Sequence, residues 1–269
     1  IDYKLQKCVR SLSFAHGRID NYPMAYPILK KIDLPATFNI TMGYVTGKLT
    51  PGNPTDVKQM NVDMVRELFS NNKFEIAGHG WAHQNDITDI EKGITELKSL
   101  LGVNTLTRFG DGFASPGTGL SLETWHRLTS NQSNTIRYAR VSLRYKSCAW
   151  LKTLIRKTSR VLQWPCLYRM AYQDTMMNDV QDGLIYSIPV LSSITTNELK
   201  AVIKKAIKTK QAIVLMFHSI VPDGAVHDNW DYEEGKFDTF CQFLKQEEKE
   251  GKLKVCTSME VWKQLTSEK

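Results

Sequence analysis

Short runs of β-branched and apolar residues alternate with amphipathic helical patterns along most of this 269-residue chain. Strands that alternate with helices are typical of parallel sheets, because each helix returns the chain to the start of the next strand. The alternation therefore predicts an α/β fold. Strands are expected at residues 9–15, 36–42, 74–78, 135–141, 184–190, 212–217 and 253–256. Helices are expected at residues 24–32, 62–70, 87–101, 122–128, 197–208, 237–250 and from Met259 onward.

Length and composition are compatible with one globular domain spanning residues 1–269. Barrels of alternating strands and helices commonly need roughly 200 to 250 residues. No repeat or linker divides the sequence, and the glycine-rich residues 110–119 are expected to form a loop. The longest apolar run, residues 212–217, is far shorter than the ~20 residues that cross a bilayer. Five dispersed cysteines without a C-x-x-C pair favour reduced thiols and a cytoplasmic location, although a secreted protein with one or two disulfides would have a similar cysteine pattern.

The motif His79-Gly80-Trp81-Ala82-His83 directly follows a predicted strand. Active sites of barrel enzymes lie at the carboxyl ends of their strands. On a helix, side chains four positions apart lie one turn above each other, so His79 and His83 could offer two nitrogen ligands to one ion. The alternative is a pair of ordinary polar loop histidines, and the spacing alone does not exclude it.

Other motifs around these histidines resemble the polysaccharide deacetylase family, also called the NodB homology or carbohydrate esterase 4 family. The first strand ends Ser13-Phe14-Ala15-His16-Gly17, a later one reads Pro35-Ala36-Thr37-Phe38, and Leu215-Met216-Phe217-His218 lies near the end. The order and spacing of these segments match the family over nearly the whole chain. The resemblance implies a distorted (β/α) barrel of the NodB type, similar to a TIM barrel.

The resemblance also implies roles for individual residues. His79 and His83 would bind a divalent metal, most simply Zn²⁺, which polarises the substrate carbonyl and activates water. His218 would be the general acid that protonates the departing sugar amine. The alternative for His218 is a core histidine whose nitrogens bond to backbone groups.

Three positions depart from the family pattern. The family has two aspartates, a base and a metal ligand, where this chain has Ala15 and His16, so His16 is predicted to be the third metal ligand. The family's arginine beside the base corresponds to Ala114. Because both members of the pair are absent, we expect a rebuilt site. Asp20 and Asp111 are the candidate replacement bases, although aspartates in such positions more often form surface turns.

Residues 124–173 carry ten Arg or Lys side chains and no Asp or Glu. Within this segment, residues 150–164 form a predicted amphipathic helix with a basic face. The simplest expectation is a helix that packs its apolar stripe on the sheet and exposes its charges. A sharper hypothesis is contact with an anionic membrane surface and a lipid-linked sugar. Nucleic-acid binding ranks third among these interpretations, because no groove-reading motif accompanies the charge.

Together these features predict a metal-dependent hydrolase that removes an acetyl or similar acyl group from an amino sugar of a glycan. The partner is then an N-acetylated glycan or a lipid-linked sugar. The alternative is a catalytically silent protein of the same fold that binds glycan. Ala15 favours the silent alternative, whereas His79, His83 and His218 favour the enzyme.

Overall fold

In the computed structural model, residues 8–51, 58–131, 134–144, 146 and 148–267 are described. They form a closed barrel of parallel strands in which the last barrel strand pairs with the first. The α/β barrel predicted from the sequence is thereby confirmed, with seven strands in the closed ring. The ring consists of β1 (Cys8–Phe14), β2 (Ala36–Ile40), β3 (Phe74–Gly78), β4 (Asp111–Ala114), β5 (Ile136–Val141), β6 (Leu184–Pro189) and β7 (Ile213–Phe217).

Helices follow the strands and cover the outside of the barrel. Several begin at side chains that cap backbone N–H groups, as Asn61, Asp86 and Thr195 do. The helices are α1 (Ala25–Ile32), α2 (Met42–Val45), α3 (Val62–Ser70), α4 (Ile87–Leu101), α5 (Leu122–Ser130), α6 (Ala149–Leu162), α7 (Pro165–Tyr172), α8 (Thr196–Lys208), α9 (Glu234–Lys249) and α10 (Ser258–Thr266). Most predicted helices and strands agree with these bounds within a few residues.

The amino-terminal end of the barrel is closed by the carboxyl-terminal part of the chain. A strand β10 (Leu253–Val255) pairs with the first half of β1, and β2 pairs with its second half. The buried Glu75 carboxylate accepts hydrogen bonds from the Tyr138 hydroxyl and from the backbone N–H of Met259, at the start of α10. The carboxyl ends of the strands are therefore the end at which a site can open.

The expectation of a loop at residues 110–119 was wrong. This segment contains β4 and a short 3-10 helix, Pro116–Thr118. Gly112 lies within β4, and a Cβ atom there would come within 2.5 Å of the Tyr138 ring. Glycine is therefore needed for the close approach of Tyr138 and does not mark a loop. Two further short strands, β8 (Ser219–Val221) and β9 (Asp231–Glu233), pair outside the barrel and were also not predicted.

The basic helix exists as α6, but its orientation differs from the simplest expectation. Trp150 is 72% exposed and Val161 is 82% exposed, and Leu151, Leu154 and Leu162 are exposed as well. The expectation that the apolar stripe packs on the sheet was therefore wrong. Among the residues that the structure describes, no helix has the length and apolarity needed to cross a bilayer.

Candidate functional site

Three histidines meet at the carboxyl ends of β1 and β3. His16 follows β1, and His79 and His83 follow β3, on the other side of β2. One nitrogen of each ring lies within 4.8 Å of the nitrogens of the other two. The nitrogens of a tetrahedral zinc site with bonds of ~2.1 Å are about 3.4 Å apart, so small ring movements separate this cluster from a ligand set. The structure thus brings together the three predicted metal ligands.

His79 has its hydrogen bonds arranged as a metal ligand requires. Its Nδ1 lies 2.7 Å from the carbonyl oxygen of Ala114, to which it donates. Nε2 then carries a lone pair, and it is buried without a hydrogen-bond partner. Burial also lowers the pKa of His79 well below its ordinary value, so the ring is neutral. A ring fixed by a backbone carbonyl on one nitrogen, with the other nitrogen available, is the usual state of a metal-binding histidine.

His16 also stays neutral in this cluster. Burial, followed by the nearby His83, Arg18 and Arg140, lowers its pKa to about 3. Its backbone is left-handed, with φ of 72°, and Gly17 after it has the same φ. This turn aims the ring back across the end of the barrel, where its centroid is 4.6 Å from that of His83.

The loop that carries His83 is held by a single carboxylate. Asp89, in the first turn of α4, accepts hydrogen bonds from the backbone N–H groups of Trp81 at 3.0 Å, Ala82 at 2.7 Å and Gln84 at 3.0 Å. Gly80 has a φ of +82°, and a Cβ atom there would meet the Asp89 carboxylate at 2.3 Å. Asp89 therefore fixes the path of the chain between the two histidines.

Replacing Asp89 with alanine is expected to destabilise the protein by about 2–4 kcal/mol, because buried N–H groups lose a charged acceptor. Metal affinity should fall as well, since His83 loses its support. Chemical denaturation and a zinc competition titration measure the two effects. Asp86→Ala removes a carboxylate that only caps α4 and serves as the control. Equal zinc affinity in Asp89→Ala and Asp86→Ala would contradict the positioning role.

His218 follows β7 and faces the same cluster. Its ring centroid lies 5.1 Å from that of His16 and 4.1 Å from that of Trp230. Asn21 donates a hydrogen bond to the His218 carbonyl at 2.6 Å, which fixes the backbone. Nδ1 of the ring is buried and has no hydrogen-bond partner. Burial and the nearby cations lower the pKa of His218 well below its ordinary value.

Neither of the two predicted replacement bases, Asp20 and Asp111, is part of the described three-histidine cluster. Asp111 begins β4, at the opposite end of the strand from Ala114, and is fully buried. Its carboxylate accepts from Lys98 Nζ at 3.1 Å and from the Leu106 N–H at 2.7 Å. Asp111 therefore stabilises the lower part of the barrel, and the expectation of a loop base there is corrected.

Asp20 lies closer to the site but outside the described wall of the pocket. It is in the 3-10 helix Ile19–Asn21, with Oδ2 at 3.6 Å from Nε of Arg18. Burial raises the pKa of Asp20 to about 6, although the Arg18 cation opposes this shift. Asp20 therefore pairs with Arg18, and it is neither part of the described three-histidine cluster nor among the described lining residues of the cavity.

An arginine that the motif alignment counted as absent reaches the site from the neighbouring strand. Arg140 of β5 is the direct Cα partner of Ala114 in β4. Its side chain is buried, with Nη1 at 2.6 Å from Sδ of Met216 and 3.4 Å from Oγ of Ser187. Sequence analysis missed this residue because a cross-strand neighbour is defined by sheet register, which a motif does not encode.

The histidines line a cavity of about 460 Å³ that is open at the carboxyl end of the barrel. Its described wall includes side chains that the sequence did not single out for this site: Arg18, Tyr44, Ser115, Arg140, Arg156, Arg160, Asp228 and Trp230. A larger cleft of about 710 Å³ is lined by residues such as Phe69, Lys254 and Glu260, and none of the predicted site residues lines it. The smaller cavity is therefore the candidate active site.

Comparison with known proteins supports the resemblance seen in the motifs. Residues 3–110 match the model of the polysaccharide deacetylase family. No curated protein matches the chain. A crystal structure of a protein from Mycobacterium smegmatis, assigned as a polysaccharide deacetylase, is similar over 100% of this chain and 93% of its own, with 13% identity and a TM-score of 0.59.

A second similar structure is a family 4 acetyl xylan esterase from Clostridium thermocellum, in complex with a cobalt ion. The structural alignment covers 95% of this chain and 90% of the esterase chain, with 13% sequence identity and a TM-score of 0.52. At this level of identity, the two structures establish the shared barrel. The family model accounts for the segment with the first three motifs. The first part of the chain, residues 3–110, is therefore similar in sequence to the polysaccharide deacetylase family, and the chain as a whole shares the barrel of such proteins.

Proposed function

We propose that this protein is a metal-dependent hydrolase that removes an acetyl, or similar small acyl, group from an amino sugar of a glycan. The observation that carries the proposal is the cluster of His16, His79 and His83, with Nε2 of His79 buried and without a hydrogen-bond partner. The similarity of residues 3–110 to polysaccharide deacetylases supports the reaction class. The cavity beside the cluster supplies space for a sugar ring and its acyl group.

His16, His79 and His83 would hold the divalent ion. Three neutral nitrogen donors suit zinc, whose catalytic sites commonly have three protein ligands and one open position. When bound, the ion supplies a Lewis acid for the acyl carbonyl and for water. The Ala114 carbonyl holds the His79 ring in the tautomer that this role requires.

The proton transfers are assigned to His218. A neutral imidazole can take a proton from an attacking water molecule and then give it to the departing amine. Nδ1 of His218 is buried and has no hydrogen-bond partner, so the ring is not committed to a structural bond there. Ala15 beside the cluster cannot accept a proton, and its backbone N–H donates to the Phe217 carbonyl at 2.9 Å.

A catalytically silent glycan-binding protein is the second candidate. Ala15 favours it, because the position at which the family has its base carries only a methyl group. The two candidates share the fold and the cavity. They differ in whether the protein hydrolyses the acyl group of the glycan that it binds.

Acetate release from N-acetylated chitooligosaccharides by the zinc-loaded protein tests the proposal. The hydrolase should release acetate at a rate that falls to background after chelation and returns with zinc. Ala15→Asp should raise this rate if the missing base limits it. Oligosaccharide binding without acetate release, in both the wild type and Ala15→Asp, would favour the silent alternative.

The membrane contact of α6 also stays a proposal. Its apolar residues, including Trp150 and Val161, are exposed, which supports contact with a lipid surface better than a role in covering the sheet. Residues 143–170 contain no Asp or Glu, so the surrounding charge suits an anionic surface. The vesicle experiment described below tests this contact together with the binding of phosphate.

A further inference from the structure

The wall of the histidine cavity is strongly cationic. Arg18, Arg140, Arg156 and Arg160 line it, and Asp228 is the acidic residue among its described lining residues. The exposed end of the barrel near the histidines therefore presents several guanidinium groups to a ligand. A neutral sugar would not require them.

Three of these arginines have no acidic partner. Arg18 contacts Asp20, but among the described residues no carboxylate forms an ion pair with Arg140, Arg156 or Arg160. Nε of Arg156 and Nε of Arg160 are buried and have no hydrogen-bond partner. Arg140 is only 1% exposed. Arg156 and Arg160 are half-buried. A fully buried cation such as Arg140 is costly to maintain without an anion, so an anionic ligand is the natural complement of this wall.

The orientation of α6 points to the same ligand. Arg156 and Arg160 are four residues apart and share the inner face, while most apolar side chains of the helix, apart from Ile155, are exposed. Burial of apolar surface alone would favour the reverse orientation. Lys152, one helical turn before Arg156, anchors the inner face of α6. Its Nζ lies 3.8 Å from the Asp174 carboxylate and 3.1 Å from the Met170 carbonyl oxygen. The helix is thus fixed with its arginines towards the cavity.

We propose that Arg156 and Arg160, with the buried Arg140 nearby, form a phosphate-binding subsite next to the three histidines. The description of the ligand as a glycan substrate with a phosphate group rests on the proposed function. A phosphate group offers three or more acceptor oxygens, which suits several guanidinium forks at once, whereas one arginine already satisfies a carboxylate. The phosphate can come from the sugar itself or from a lipid to which the sugar is attached.

Calorimetric titration of the zinc-loaded protein compares N-acetylglucosamine 1-phosphate with N-acetylglucosamine. The phosphorylated sugar should bind about 10-fold more tightly or better at low salt, because each charge-assisted hydrogen bond contributes at least that factor. The double variant Arg156→Gln, Arg160→Gln should lose this difference. Lys157→Gln removes the same charge from the exposed side of α6 and should retain it.

A second double variant, with lysine at both positions, covers the case in which the glutamine double variant does not fold. Arg156→Lys with Arg160→Lys keeps both charges but removes the guanidinium forks, and it should lower the selectivity for phosphate. Full selectivity in either folded double variant would overturn the proposal. It would also be overturned if the wild type bound both sugars with equal affinity and bound vesicles with and without a net negative charge with equal affinity.

Vesicles distinguish the two sources of phosphate. In a flotation assay, vesicles of phosphatidylglycerol are compared with vesicles of phosphatidylcholine at two salt concentrations. If binding to phosphatidylglycerol depends on Arg156 and Arg160 and the soluble sugar phosphate binds weakly, the subsite takes a lipid-borne phosphate. If the sugar phosphate binds tightly, the subsite takes a phosphate on the sugar. Both outcomes support the subsite.

These measurements record binding and do not require hydrolysis. Selective binding of phosphate by a protein that releases no acetate would contradict the proposed function and leave the subsite intact. Acetate release that is insensitive to Arg156→Gln, together with equal binding of both sugars, would contradict the subsite and leave the hydrolase intact.

Discussion

Replacing His79 with alanine is expected to remove the stoichiometric divalent ion from the protein. In the proposed site, His79 would supply the ligand nitrogen, since its Nδ1 is bonded to the Ala114 carbonyl and its Nε2 is buried without a hydrogen-bond partner. Removing a group that hydrogen-bonds to a metal ligand typically lowers metal affinity by roughly 10 to 100-fold. Removing a ligand itself should therefore lower metal affinity by more than about 100-fold. Elemental analysis and competition with a zinc chelator measure the change.

His126→Ala provides the control for this experiment. His126 lies on α5 with an exposed side chain, and its nearest carboxylate is Asp182 at 4.0 Å. This variant should keep the full metal content. Undiminished metal in a folded His79→Ala, His83→Ala double variant would contradict a metal site at this cluster.

Replacing His218 with alanine is expected to lower kcat for acetate release by about 10² to 10⁴-fold, the usual contribution of a positioned proton carrier. Metal content should stay unchanged, because the described nitrogen cluster consists of His16, His79 and His83. KM should change less than kcat, since proton transfer affects the transition state more than substrate binding. Steady-state kinetics and elemental analysis of the same preparation test both parts.

The control for His218 is His227→Ala, a change at an exposed histidine in the segment between β8 and β9. It should leave kcat within a factor of about two, as surface substitutions away from a site usually do. A wild-type rate in folded His218→Ala would remove His218 from the chemistry. Loss of metal in that variant would instead make it a structural part of the metal site.

Much of the site could be predicted because its signals are local in sequence. His79 and His83 directly follow β3, and His218 directly follows β7. In a parallel barrel, residues at the carboxyl ends of strands share one end of the molecule. The α/β class therefore followed from the alternation of strands and helices, whereas the barrel and the roles of the histidines followed from the resemblance to polysaccharide deacetylases.

The features that were missed depend on contacts between distant segments. The role of Asp111 was misjudged because Lys98 and Leu106, which surround its carboxylate, are not part of any motif. Arg140 is near the site only because β5 pairs with β4 in one particular register. The periodicity of α6 correctly predicted a helix, but periodicity does not specify which face is buried when the inner surface is a polar cavity.

The central claim is that His16, His79 and His83 together hold one divalent ion, and zinc-edge X-ray absorption spectroscopy tests it most directly. The zinc-loaded wild type should show three imidazole ligands at ~2.0 to 2.1 Å and a fourth light-atom ligand. His16→Ala should show two imidazoles, and His16→Asp should keep zinc with an oxygen in place of one nitrogen. A wild-type spectrum with two imidazoles that His16→Ala leaves unchanged would contradict the three-histidine site.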